Sequence, residues 1–163
     1  MEIERKFKIK ELPADLSSYR CLFIEQAYLC TDPVIRIRRQ DDEYYLTYKG
    51  KGLIAREEYN LPLNKTAYEH LLTKADGNII SKKRFLIPIK NPIFKDGYDV
   101  PEESANLKIE LDIFNPPFAP LAIAEVEFPD VEMANTFIPP AWLGADVTDN
   151  PEYHNSNLSR KIF

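Results

Sequence analysis

The sequence of 163 residues predicts an α+β fold that is mainly β, in a single domain spanning residues 1–163. Short alternating segments separated by Pro, Gly, Asn and Asp run along the whole chain, the pattern of strands joined by tight connections. Thirteen prolines stand against five glycines, which marks many firm loop ends. A hydrophobic content of 44%, with 12% aromatic residues, supplies a sizeable core and excludes disorder.

Composition excludes several classes. A formal charge of −5 makes a poor nucleic-acid binder. No apolar run approaches the ~18 residues of a membrane span, and Glu2 and Glu4 do not fit a signal peptide. Cys21 and Cys30 form no CxxC pair, so neither a zinc knuckle nor a disulfide framework is expected. The expectation is a soluble protein of a reducing compartment, the cytoplasm, without membrane or nucleic-acid partners.

Eight strands are predicted: 2–10, 21–30, 34–40, 44–49, 56–61, 80–89, 107–114 and 123–128. The connections at 40–43 and 50–55 are short enough for antiparallel hairpins. Asn64 caps a predicted helix carrying Ala67, Leu71, Leu72 and Ala75, with Gly77 as its stop. Asp130 caps a second with Met133, Ala134 and Phe137 inward, ended by Pro139-Pro140. A short third helix is expected at 155–161. Asp96-Gly97 reads as a turn inside the segment 90–106, which has no assigned structure.

Side chains alternate across a strand. Glu2, Glu4, Lys6 and Lys8 therefore share one face, and Arg36 shares another with Arg38. Tyr45, Thr47 and Lys49 form a third set; Arg56, Glu58 and Asn60 a fourth; Lys82 and Arg84 a fifth. Lys108, Glu110 and Asp112 follow, then Glu125 and Glu127. A solvated outer face explains alternation by itself, since antiparallel sheets commonly expose one side. Yet the charges are clustered by sign within each strand, and like charges side by side are mildly destabilising. If the sheet curls shut under its helices, acid lines one arc and base another. Such an interior is costly unless something ionic fills it. A polyanion with divalent cations suits both arcs, because carboxylates ligate Mg²⁺ or Mn²⁺ while Arg and Lys hold phosphate oxygens.

With these residues in view, Glu2-Ile3-Glu4-Arg5-Lys6 resembles the N-terminal ExExK signature of the CYTH superfamily, the triphosphate tunnel metalloenzymes. The downstream elements follow that family's order: Arg36-x-Arg38, Lys49, Lys82-x-Arg84, Glu110-x-Asp112 and Glu125-x-Glu127. The stretch from Phe137 through Trp142 and Gly144 to Thr148, then Tyr153 and Asn155, is similar to the small bacterial members. The resemblance spans essentially the whole chain. It implies a closed eight-stranded antiparallel β-tunnel with outer helices and a C-terminal helix near one mouth. It further implies Mg²⁺ or Mn²⁺ held by Glu2, Glu4, Glu125 and Glu127, with Glu58, Glu110 and Asp112 as further acidic candidates. Lys6, Arg36, Arg38, Lys49, Lys82 and Arg84 are the implied triphosphate cradle. Asn60 departs from the pattern, standing where an acidic residue often follows Glu58. His154 stands where a lysine is expected, and 90–106 is longer than in compact relatives.

The implied activity is metal-assisted hydrolysis of a phosphoanhydride, with inorganic tripolyphosphate the expected substrate. Catalysis of this kind is mainly positioning and electrostatic stabilisation. Lys82 is the candidate proton acceptor, since neighbouring arginines disfavour its ammonium form, and Tyr28 is its candidate partner. The alternative for Lys82 is one more phosphate-binding cation. Alternative functions are a nucleoside or thiamine triphosphatase, a class IV adenylyl cyclase, or a non-catalytic polyphosphate- or nucleotide-binding module. The expected assembly is a monomer or homodimer. Arg56 and Lys108 read as ion-pair partners or solvated charges, His70 as a surface histidine, and Trp142 as packing. His154 is a tunnel-mouth contact or surface decoration.

Overall fold

The structure, a computed structural model, describes all 163 residues. Its strands are β1 (Glu2–Ile9), β2 (Arg20–Thr31), β3 (Val34–Gln40), β4 (Glu43–Lys49), β5 (Ala55–Arg56) and β6 (Glu58–Leu63). After helix α1 (Lys65–Leu72) come β7 (Asp76–Pro88), β8 (Ile93–Phe94), β9 (Lys108–Phe114) and β10 (Ala122–Glu127). Helix α2 (Val131–Thr136), β11 (Phe137–Ile138), β12 (Leu143–Asp146) and α3 (Asn155–Leu158) complete the chain.

Around the barrel the strands run β1-β10-β9-β7-β2-β3-β4-β6, every neighbouring pair antiparallel. β5 pairs back onto β1 through Glu2 and Ile3, so the ring is nearly closed. The predicted fifth strand is the one that differs. It is interrupted at Glu57, where the chain leaves β1 and joins β4, so nine strands form eight staves. β12 adds along the free part of β1, beside Phe7 and Ile9.

The apolar core lies mostly outside this barrel. Phe7, Ile109, Leu111, Ala124 and Val126 pack against Met133, Ala134 and Phe137. A smaller outer cluster joins Ala27 and Ile37 to Tyr68 of α1. The predicted N-caps are present: Asn64 Oδ1 accepts from the Ala67 amide at 2.7 Å, and Asp130 Oδ1 from that of Met133 at 2.7 Å. Gly77 is not the helix stop. The helix ends at Leu72, and Gly77 lies in β7 with φ +73°, its backbone pressed against Ser159. A Cβ there would meet the Ser159 carbonyl at 2.1 Å, so only glycine permits this approach of β7 to the C-terminal segment.

The unassigned segment 90–106 lies against the outer core. β8 pairs with β11, Phe94 joins the core, and a 3-10 turn over Glu102–Asn106 leads into β9. Arg5, which falls among apolar neighbours by alternation, clamps the end of α2: its Nη1 donates to the Ala134 and Phe137 carbonyls, both at 2.8 Å. Its Nε meets Asp146 at 2.9 Å. No helix is long and apolar enough to cross a membrane.

Candidate functional site

The barrel encloses a cavity of about 740 Å³, and strand register decides what faces it. β1 contributes Glu2, Glu4 and Lys6; β3, Arg36 and Arg38; β4, Tyr45 and Lys49. β6 contributes Glu58 and Asn60, β7 Arg84, β9 Glu110, and β10 Glu125 and Glu127. Tyr28 of β2 completes the wall. Past one end of the charged zone the side chains turn apolar: Tyr28, Val34, Ile80, Phe114 and Ile123 form a cluster with Leu158 of α3. The C-terminal segment flanks the cavity, with Thr148, His154, Asn155 and Ser156 on its wall. His154 thus lines the cavity, its Nε2 3.2 Å from the Thr148 carbonyl. Burial lowers its pKa, against the Thr148 contact and with Lys6 and Arg56 adding to the lowering.

Most polar contacts inside join residues directly opposite one another on neighbouring strands. Arg84 faces Asp112, with Nε 2.7 Å from Oδ1, and its Nη1 reaches Glu110. Lys6 faces Glu125 at 3.7 Å. Lys49 faces Glu58 at 3.5 Å and also meets Glu2 at 2.9 Å. Gln26 faces Arg38, Thr47 faces Arg36, and Asn60 faces Thr47.

Of the fourteen residues predicted for the site, twelve line this cavity and two do not. Lys82 and Asp112 share the inward faces of Arg84 and Glu110 but are sealed off from the cavity, 1% and 0% exposed, as an ion pair of 2.7 Å. Lys82 therefore meets a carboxylate in addition to the arginines expected near it; its Nζ also lies over the Phe114 ring at 5.2 Å. Burial lowers its pKa to about 8, opposed by Asp112 and assisted by Arg84 and Arg38. Burial alone would raise the Asp112 pKa, but Arg84 and Lys82 hold it below the usual carboxylate range.

The acidic arc is electrostatically stressed. Burial and the neighbouring carboxylates of Glu58 and Glu4 push Glu2 up to about 9, against the pull of Lys49. Glu127 is also raised, by burial and then by Glu110, Glu58 and Glu4. Glu58 moves down to about 2: burial works against this, and Glu2, Lys49 and Asn60 bring it about. Burial likewise opposes the ionisation of Glu125, which Lys6, Arg84 and Lys82 hold well below its ordinary value. These carboxylates do not converge on a preformed metal cluster. Ammonium and guanidinium groups stand between them, yet Glu2 and Glu127 carry repulsion that a divalent cation relieves. As hard oxygen donors they fit Mg²⁺ or Mn²⁺.

Three residues were missing from the predicted site. Gln26 and Thr47 are fully buried and hydrogen-bonded to the two arginines of β3. Thr148 accepts from the Lys6 amide at 3.0 Å, holding the C-terminal segment on β1. Alternation alone puts Gln26 and Thr47 on inward faces, but neither carries a charge that marks it out.

Comparison with known proteins agrees with this geometry. Over 99% of its length the chain is 33% identical to a protein of Nitrosomonas europaea named inorganic triphosphatase, covering 98% of that protein. It is 32% identical to one of the same name from Acetivibrio thermocellus, covering 99% of this chain and 95% of that protein. A crystal structure described as that of the inorganic triphosphatase NE1496 superposes with a TM-score of 0.68 at 30% identity, covering 99% of this chain and 96% of that one. The CYTH domain profile matches residues 1–127, a span that includes every barrel-lining acidic or basic position from β1 to β10. With a charged barrel interior in the expected register and that match over most of its length, the chain belongs to the CYTH domain family.

Proposed function

We propose that this protein hydrolyses inorganic tripolyphosphate in a metal-dependent reaction inside the barrel. The observation that carries the reading is the division of a single cavity. Glu2, Glu4, Glu58, Glu110, Glu125 and Glu127 supply carboxylates on one arc, and Arg36 with Arg38 supplies guanidinium groups without carboxylate partners on the other. The relatives named inorganic triphosphatase support it.

In this reading Glu2, Glu4, Glu125 and Glu127 hold Mg²⁺ or Mn²⁺, with Glu58 and Glu110 beside them. A bound divalent cation neutralises charge on the phosphoryl oxygens and lowers the pKa of an attacking water. Arg36 and Arg38 grip the anion by charge-assisted hydrogen bonds, and Lys6, Lys49 and Arg84 hold the carboxylates that face it. Asp112, buried directly across from Arg84, orients its guanidinium. We assign the proton to Lys82, whose pKa of about 8 leaves a neutral fraction near physiological pH, with Tyr28 as the wall hydroxyl beside Arg36. The pairing of Lys82 with Asp112 opposes that assignment and makes it open to a direct test. One chain carries the whole cavity, so a monomer suffices and a homodimer is compatible. The two unpaired thiols accord with a cytoplasmic setting.

The test is phosphate release by the purified protein from tripolyphosphate with Mg²⁺, Mn²⁺ or EDTA, and from ATP in parallel with a check for cyclic AMP. Metal-dependent release favouring tripolyphosphate supports the reading. Preference for ATP moves it to a nucleotide enzyme, and tight binding without release in any metal moves it to a binding module.

A further inference from the structure

The six cations predicted for the cradle are not equivalent. Lys6, Lys49, Lys82 and Arg84 each lie within ion-pair distance of a carboxylate, at 3.7, 2.9, 2.7 and 2.7 Å respectively. Arg36 and Arg38 make no ion pair, although they are only 5% and 6% exposed. Neutral oxygens hold them instead. Arg38 Nε donates to Gln26 Oε1 at 2.8 Å, and Nη2 donates to the same oxygen. Arg36 Nη2 donates to Thr47 Oγ1 at 3.1 Å. The Thr47 hydroxyl proton is directed elsewhere, to Asn60 Oδ1 at 2.6 Å, which leaves its lone pairs to Arg36. Asn60 Nδ2 in turn donates to Glu58 at 3.0 Å, fixing the orientation of that amide. The Arg36 Nε, buried, has no partner in the protein.

A guanidinium already paired with a carboxylate presents an approaching anion with a nearly neutral unit. One held by an amide or hydroxyl has its side chain fixed and its charge undiminished. Gln26 and Thr47, both 0% exposed and directly across from the arginines they hold, do the second of these. We propose that Gln26 and Thr47 are positioning residues for anion binding, whose function depends on their being uncharged: they orient Arg38 and Arg36 while leaving both positive charges to the phosphates. This rests on the reading that the tunnel binds tripolyphosphate.

Charge and geometry separate in one comparison. Gln26→Glu keeps the acceptor and its reach but neutralises Arg38, whereas Gln26→Met keeps the size and the charge but removes the acceptor. Steady-state phosphate release from tripolyphosphate at saturating Mg²⁺ is measured for both, with melting temperature as the check on folding. The expected KM order is wild type, then Gln26→Met, then Gln26→Glu, the last raised at least ~10-fold, a loss of one full charge contact, with a smaller change in kcat. A merely structural acceptor gives the reverse order, because glutamate preserves both hydrogen bonds; Gln26→Glu equal to or better than Gln26→Met overturns the inference. Thr47→Val and Thr47→Asp repeat the comparison at Arg36 and decide the matter if Gln26→Glu does not fold. A wild-type protein inactive on tripolyphosphate overturns the underlying reading, an outcome distinct from an active wild type with the wrong order.

Discussion

The ammonium of Lys49 lies 2.9 Å from Glu2, bridging β4 to the first residue of β1, and it reaches Glu58 at 3.5 Å. A lysine thus stands between carboxylates that the family resemblance assigns to a divalent cation. The bridge is insufficient: Glu2 still holds a proton up to a pH of about 9. The folded value lies above the ordinary 4.5. Relative to the unfolded chain, stability from this group is therefore full below about pH 4.5 and is lost as pH rises toward 9.

Glu2→Gln removes that loss. In EDTA at pH 8 the variant is expected to melt above the wild type by roughly 3–6 °C, the shift that one or two kcal/mol gives a chain of this size. Activity falls at the same time. A lower melting temperature contradicts the assignment of Glu2 as a stressed carboxylate.

Glu4→Gln is expected to lower turnover at least ~100-fold, the scale of losing one electrostatic contact in an active site. Its circular dichroism and melting temperature stay near wild type, since Glu4 faces the cavity and not the outer core. Near-normal metal-dependent activity removes Glu4 from the metal site.

The proton assignment to Lys82 has a sign that can be checked. If its neutral form accepts a proton, kcat rises with pH through about 8, the value to which burial brings the amine. Lys82→Arg keeps a cation beside Asp112 and cannot supply that limb. A Lys82→Arg enzyme with the wild-type pH profile reduces Lys82 to the charge partner of Asp112.

Gly77→Ala places a methyl group against the Ser159 carbonyl at a backbone φ of +73°. The expected result is a lower melting temperature and freer protease access to the last residues, which Asn78 holds by bonds to the Leu158 and Lys161 carbonyls at 3.2 and 2.7 Å. Unchanged stability would mean that the C-terminal segment sits on the barrel without this close approach.

Much of this was legible in the sequence because a strand's period of two converts charge directly into placement. Glu2, Glu4 and Lys6 point inward together for the same reason that Ile3 and Phe7 point outward. The N-caps at Asn64 and Asp130 were legible because capping is local chemistry. Partnership was not. Which cation meets which carboxylate depends on cross-strand register between distant segments, so arginines near Lys82 were legible but its pairing with Asp112 was not. The break at Glu57 follows from barrel closure onto β1, and closure leaves no local mark. Gly77 looked like a helix stop because the residue it must admit, Ser159, lies far along the chain. Gln26 and Thr47 escaped notice because an uncharged side chain gains its role only from the arginine opposite.

The most direct measurement is a crystal structure with Mn²⁺ and tripolyphosphate, read by manganese anomalous scattering. The predicted result places manganese on the arc of Glu2, Glu4, Glu125 and Glu127, with phosphate oxygens on Arg36 and Arg38 inside the same cavity. Manganese away from those carboxylates, or the anion bound outside the barrel, contradicts the account.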